Sequence, residues 1–296
     1  MGPSFSGNNF MEMVHFIPPG QRRLALLAAQ ADSAPVLISG ASGTGKGAIA
    51  RWIHANSPRA ARPFIEATRH TNLVAQIFKA QGGTLLVSEI GEFPLSEQKN
   101  LLNFINTKSV PHPENPQLRT IVNVRMVVTS DQALEGRAQG GLFNPELLEK
   151  LNVFRLEMPP LSRRHDEFDD IVVGILNEIT HEFHREHLRA FDAGAWVRLR
   201  SYDWPGSIRE LRNVLRLAVL AAQGDEITEG DLPDFGHHRI DFRATREQFE
   251  KIYILELLRA NDWDVERTCN QSQIDRLALQ IKIQKYGITI PQVSIP

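Results

Sequence analysis

The sequence predicts an α/β fold with a parallel sheet in its first half, a helical subdomain after it and a small all-α end, and three observations carry that reading. The β-prone run Ala34-Pro35-Val36-Leu37-Ile38-Ser39 gives way to a glycine loop, which opens into the helix-prone stretch from Ala48 to His54. Two further apolar runs, Gly82 to Glu89 and Val122 to Asp131, end in polar residues, as buried strands of a parallel sheet do. From Asp166 to Leu220 apolar residues recur at helical spacing, first Ile171, Ile175 and Ile179, then Leu211, Leu215 and Val219.

Taken in chain order, the first element carries the clearest chemistry. Gly40-Ala41-Ser42-Gly43-Thr44-Gly45-Lys46 has the Gly-x-x-x-x-Gly-Lys spacing of a P-loop. Glycines let backbone N–H groups curl around phosphate oxygens, the following helix N-terminus adds positive potential, and Lys46 reaches the terminal phosphates. A nucleotide is therefore expected over residues 40–47, at the C-terminal ends of the strands. The residue after the lysine, normally a Ser or Thr that holds Mg²⁺, is Gly47, which offers no ligand. In the second run Ser88-Glu89 stands where P-loop enzymes carry Asp-Glu, so the acid that orders Mg²⁺ is missing while Glu89 keeps the general-base position. The third run ends Thr129-Ser130-Asp131, with Ser130 as an expected contact to a γ-phosphate.

The helical half contains Tyr202-Asp203-Trp204-Pro205-Gly206-Ser207-Ile208-Arg209-Glu210-Leu211-Arg212-Asn213. Together with the P-loop, the Gly82-Gly83-Thr84-Leu85 strand, Leu151-Asn152-Val153-Phe154 and Pro159-Pro160-Leu161, this segment resembles the AAA+ domain of NtrC-type bacterial enhancer-binding proteins, over about residues 7–288. The resemblance implies an AAA+ core at 1–161, a lid at 162–233, a linker at 234–244 and a Fis-type helix-turn-helix at 245–296. It further implies ATP as the cofactor, with Mg²⁺ admitted beside it, and Arg209 as the lid's sensor arginine reaching toward the γ-phosphate.

The chain departs from that family at defined positions. Members that drive sigma-54 transcription carry a GAFTGA loop between the second strand and the Walker B strand; here only Ile65 to Gln81 lies there, too short for the loop and its two arms. The expectation is a divergent member without that loop and without a receiver domain, making no sigma-54 contact. Thr68 takes the place of the asparagine that switches the catalytic glutamate. Asn144, in Phe143-Asn144-Pro145-Glu146-Leu147, falls on the first arginine-finger position and Lys150 on the second. Loss of such a finger costs roughly 10³-fold or more in rate, and Lys150 replaces a planar charge only in part. ATP binding with slow hydrolysis is therefore expected. An active ATPase remodelling another partner and a regulator responding to a cyclic dinucleotide stay open as alternatives.

At the far end, a helical pattern from Arg246 to Leu258 is followed by Asp264 to Cys269, a turn near Ser272-Gln273-Ile274, and Asp275 to Ile288. This end resembles the Fis-type helix-turn-helix that closes the same family, with Asp275 as N-cap and Gly287 as C-terminal stop. Arg276 and Gln280, one turn apart, are expected on base edges and Lys282 and Lys285 on phosphates, with Arg267 adding local positive charge. Cys269 is expected to pack as a small residue, and His237-His238 to belong to the linker rather than to a metal site. Such helices read paired half-sites, so a dimer is expected.

Composition fits this reading and excludes others. With 296 residues, 42% of them hydrophobic and 23% charged, the chain is ordinary for a globular protein, and no apolar run approaches the ~18 residues of a membrane span. The single cysteine excludes an internal disulfide and a cysteine-rich zinc site and suits a reducing compartment, so the cytoplasm is expected. Lys+Arg 33 against Asp+Glu 35 gives a formal charge of -2, so attraction to DNA must be local. The expected partners are double-stranded DNA and further copies of the chain, as a dimer or a hexamer, with RNA polymerase left open.

Overall fold

A computed structural model of the chain describes residues 16–235 apart from 113, 114 and 116, and residues 250–290 apart from 252, 256, 273 and 289. The chain start, the expected linker beyond Phe235 with His237 and His238, residues 246–249 of the expected helix, Gln273 and most of the tail after Ile288 lie outside the described residues. The chain divides into two compact units, Met1–Glu178 with Asp203–Leu211, and Ile179–Tyr202 with Arg212–Pro296.

Along the first unit run α1 (Pro19–Gln30), β1 (Val36–Ser39), α2 (Lys46–Ala55), β2 (Phe64–Ala67), α3 (Leu73–Lys79), β3 (Thr84–Val87) and α4 (Leu95–Thr107). A short antiparallel hairpin, β4 (Ser109–Pro111) with β5 (Arg119–Ile121), leads to β6 (Arg125–Ser130), α5 (Leu134–Gln139), α6 (Pro145–Leu151) and β7 (Phe154–Glu157). Five strands form one parallel sheet in the order β2-β3-β6-β1-β7. The parallel α/β sheet read from alternating apolar runs is thus present. Central β3 and β6 are buried along their whole length, which is why their sequences are apolar runs rather than alternations. Leu37, Leu85, Val87, Met126 and Val128 of the sheet pack with Leu73, Ile77, Leu101, Phe104 and Leu147 of the helices. In this order the C-terminal ends of β1, β3 and β6 lie side by side, with Ser39 beside Ser130, and the site is built there.

One charge lies where the periodicity of the third run calls only for apolar residues. Arg125 opens β6 with its side chain fully buried, donating from Nη1 to the Ala29 carbonyl at 3.1 Å and from Nη2 to the Ala28 carbonyl. These are carbonyls of the last turn of α1, which a helix cannot satisfy by itself. Burial first, and then the charge of the neighbouring Arg59, lower the Arg125 pKa to about 10 against an opposing pull from Asp32. Arg59, also buried, forks onto Asp32 at 2.7 and 3.2 Å and reaches Asn123 Oδ1 at 2.8 Å.

In the second half α7 (Phe168–Glu182) precedes a two-residue strand β8 (Ala190–Phe191), α8 (Ala193–Arg200), α9 (Ser207–Ala221) and β9 (Glu226–Ile227), which pairs parallel with β8. The division between units falls inside α7 and inside α9. Further on, the described residues between 250 and 260 are helical, followed by α10 (Val265–Ser272) and α11 (Arg276–Lys285). Ile254, Leu258, Leu279 and Ile288 form a small core on which Trp263, Val265, Ile274, Ile283 and Cys269 pack. Among the described residues no helix is long and apolar enough to cross a membrane.

Candidate functional site

The loop between β1 and α2 has the backbone its glycines permit. Gly40, Gly43 and Gly45 adopt φ of 151°, 83° and 92°, and the last two lie in the left-handed region that alanine or larger residues enter at a cost. The N-cap of α2 is Gly45, with no side chain bonded over the first turn. A helix start without a side-chain cap, reached through a glycine loop, is a cradle for an anion. Lys46, only 5% exposed, donates from Nζ to the carbonyls of Gly40 at 2.8 Å and Ala41 at 3.1 Å. The Thr44 hydroxyl donates to Ala41 O at 2.8 Å, bracing the turn from within.

Glu89 faces the same lysine, with Lys46 Nζ 3.1 Å from Oε1. Its backbone is left-handed, φ 55° and ψ 57°, an uncommon conformation for glutamate that persists only where neighbours hold it. They do: Thr129 Oγ1 accepts from the Glu89 N–H at 3.0 Å, and the Asp131 N–H donates to Glu89 Oε2 at 2.6 Å. Burial holds the Glu89 carboxyl above its usual range, opposed by Lys46 and reinforced by the charge of Asp131.

A carboxyl with a raised native pKa keeps its proton at pH values where the unfolded chain has released it. It therefore favours folding in acid, and that contribution is lost as pH rises through the native pKa. Glu89→Gln has no such titration. In thermal melts from pH 4 to pH 8, the variant should match the parent at the acid end and gain on it as pH rises above the ordinary glutamate range. A difference that does not change with pH would refute the assignment.

Ser88 turns away from this cluster, donating from Oγ to Glu66 Oε1 at 2.6 Å, and Glu66 also meets Arg51 at 3.5 Å. With Gly47 mute and the Ser88 hydroxyl engaged by Glu66, neither side-chain oxygen expected to organise Mg²⁺ at a P-loop is supplied, and the donor set does not fit that ion. Among the described residues no group of three or more His, Cys, Asp or Glu side chains is arranged to hold a metal.

The segment 203–211 lies against the loop within the same unit. Arg209 N–H donates to Gly43 O at 3.0 Å, and its Nη1 approaches Ser42 Oγ at 3.3 Å. Trp204 and Ser207 both have positive φ, 50° and 54°. Ser207 N–H closes the turn onto Trp204 O at 2.7 Å, its Oγ accepts from Leu161 N–H at 3.1 Å, and Trp204 is buried beside Phe168. The Trp-Pro-Gly-x-x-Arg-Glu-Leu spelling is thus the sequence of a tight, strained turn that presents Arg209 to the loop.

The remaining positions have local duties. Ser130 Oγ donates to Gln132 O at 2.9 Å and is almost fully buried. Thr68 N–H donates to Thr71 Oγ1 at 2.9 Å and ends β2 in a turn. Asn144 is the N-cap of α6, accepting from Leu147 N–H at 3.0 Å, and Lys150 is exposed in its last turn. Sequence reading missed Thr129, the Asp131 amide and Glu66. Thr129 and Asp131 flank the named Ser130, and Glu66 lies on β2 with only an exposed position to mark it.

In the helix-turn-helix, Asp275 caps α11 by accepting from Leu277 N–H at 2.9 Å and Ala278 N–H at 3.3 Å. Gly287, φ 61°, ends it, with Ile288 N–H returning to Ile283 O at 3.0 Å. Of the expected DNA contacts, Gln280, Arg267, Arg276 and Lys285 are exposed. Arg276 pairs with Glu266 at 2.9 Å, and Lys282 is paired with Glu250.

Three family models match the chain in succession: a sigma-54 interaction domain over residues 21–161, an AAA+ ATPase lid domain over 162–248, and the Fis family of bacterial regulatory proteins over 245–286. The regulatory protein AtoC of Escherichia coli is 33% identical over 295 residues, covering 87% of this chain and 63% of AtoC. The transcriptional regulatory protein ZraR of Escherichia coli is 32% identical over 255 residues, covering 78% of this chain and 57% of ZraR. This chain thus spans less than two thirds of the length of these relatives. Among solved structures, NtrX from Brucella abortus in complex with ATP aligns with a TM-score of 0.63 at 25% identity, over 97% of this chain and 70% of that one. A chain that carries all three modules in this order belongs to the family of enhancer-binding regulators that includes AtoC, ZraR and NtrX.

Proposed function

We propose that the chain is a DNA-binding transcription regulator whose AAA+ core binds ATP as a ligand and hydrolyses it slowly. The observation that carries this reading is the buried Lys46 at the base of an uncapped glycine loop, with Arg209 bonded to the rim of that loop. The NtrX relative, whose structure holds ATP, supports the choice of nucleotide. On binding, phosphate oxygens take over the Lys46 ammonium from the Gly40 and Ala41 carbonyls and from Glu89. The freed Glu89 carboxylate then stands as the group able to accept a proton from water, so the machinery for turnover is incomplete rather than absent.

Slow hydrolysis follows from what stands at the finger positions. Asn144 caps its own helix and bears no charge, and Lys150 offers a point charge where a planar guanidinium is worth roughly 10³-fold or more. The single short helix α3 between β2 and β3 supports the absence of a sigma-54 contact loop. The purified chain should bind ATP in calorimetry and turn it over at no more than about one-thousandth of the ~10 s⁻¹ typical of enzymes. Turnover near that typical rate, abolished by Glu89→Ala, would instead establish a working ATPase that remodels a partner. Double-stranded DNA is the proposed target of the last two helices, read by a dimer.

A further inference from the structure

The outward face of α11 is unusual for a surface that meets DNA. Helical geometry places Leu279, Ile283 and Tyr286 on the inner side, where they pack in the small terminal core. Leu277, Gln280, Ile281 and Gln284 share the opposite face. Leu277 is 66% exposed and Ile281 56%, one turn apart, with exposed Gln280 and Gln284 beside them. Two large aliphatic side chains held in water on a ten-residue helix are a standing cost that a partner would relieve.

The charges around this face select the partner. α11 contains Arg276, Lys282 and Lys285 and no acidic residue; Arg276, which meets exposed Glu266 at 2.9 Å, and Lys285 flank the apolar centre from either side, while Lys282 is paired with Glu250. A second copy laid face to face on this helix would bring those like charges together. A DNA major groove instead offers phosphates at its two rims and, on its floor, thymine C5-methyl groups, the one apolar feature of the base edges.

The geometry points to Leu277 and Ile281 as specificity-determining residues that read thymine methyl groups in the major groove, with Gln280 beside them bonding an adjacent adenine edge. The core of each half-site is then A·T. This rests on the DNA-binding reading of the same helix and deepens it.

The test begins with duplexes selected by the full chain from a randomised pool. The best duplex is resynthesised with deoxyuridine replacing thymine at one position at a time, which removes the methyl and leaves every hydrogen-bonding group. At one or two thymines per half-site, binding should weaken about fourfold, the value of one buried methyl-sized group. Leu277→Ala or Ile281→Ala should abolish the difference between thymine and deoxyuridine at its own position while leaving the salt dependence unchanged. Circular dichroism verifies that both variants fold, as side chains so exposed should allow.

Selective binding that is indifferent to deoxyuridine at every position would overturn the methyl reading and leave DNA recognition intact. A pool from which nothing is enriched would overturn DNA recognition and this inference with it. A drop in oligomer mass in Leu277→Ala without DNA would assign the face to a second copy and equally overturn it.

Discussion

A Gly43→Ala variant is expected to lose measurable ATP binding and about 2–4 kcal/mol of stability. Two costs add at one position. Gly43 has φ 83°, where alanine is disfavoured by roughly 1–2 kcal/mol, and its Cβ would overlap the Gly206 carbonyl oxygen. That obstacle is backbone, held in place by the Ser207 to Trp204 bond and by buried Trp204, so it cannot swing aside like the end of a flexible side chain. Relief requires parting the loop from residues 203–211, which breaks the bond from Arg209 N–H to Gly43 O and moves the guanidinium off the rim. Gly47→Ala is the matched control. Nothing lies within 4 Å of its added Cβ, and in a helical position alanine gains up to about 1 kcal/mol over glycine. Urea melts and calorimetry with ATP on the two variants should move in opposite directions in stability. A Gly43→Ala protein as stable as the parent would show that the loop and the Trp-Pro-Gly turn are not packed as described.

The contrast between these glycines also shows what a sequence can and cannot display. Spacing alone located the loop, because a P-loop is a backbone device and its glycines are visible as letters. The strands around it were legible for the same reason, since burial on both faces writes itself as an apolar run. The partners of Glu89 were not legible. Its bonds to Thr129 and to the Asp131 amide exist because β3 and β6 are neighbours in the sheet, and adjacency of strands separated by about forty residues leaves no local mark. Ser88 announced a missing acid, yet its bond to Glu66 depends on the register of β2 against β3. Arg125 was hidden differently: a lone arginine at the head of an apolar run looks like a strand's exposed start until the end of α1 is placed over it. Asn144 was read for the charge it lacks, whereas its own contribution is a helix cap that only backbone geometry reveals.

Lys46→Ala should weaken ATP binding by roughly 10- to 100-fold, the value of a charge-assisted hydrogen bond to phosphate, and should also destabilise the chain in the absence of any nucleotide. The second effect belongs to Glu89. With Lys46 gone, burial still disfavours its carboxylate and the Asp131 charge still repels it, while the opposing attraction has been removed. Its native pKa must climb further, so the variant is penalised most at neutral and alkaline pH and least in acid, where the carboxyl is protonated in folded and unfolded chains alike. Adding Glu89→Gln removes that charge. The double variant Lys46→Ala/Glu89→Gln should therefore recover stability at pH 8 relative to Lys46→Ala alone, and both carry the same void where the lysine stem was, so the recovery measures the charge and not the packing. ATP binding should stay as weak as in Lys46→Ala alone, because the glutamine supplies nothing to a phosphate. A cycle in which the two substitutions couple strongly in stability and hardly at all in affinity separates the two duties of Lys46, counter-charge to Glu89 in the free protein and phosphate ligand in the complex. Strict additivity in both measurements would mean that the 3.1 Å pair contributes nothing, and that Glu89 owes its position wholly to the Thr129 hydroxyl and the Asp131 amide.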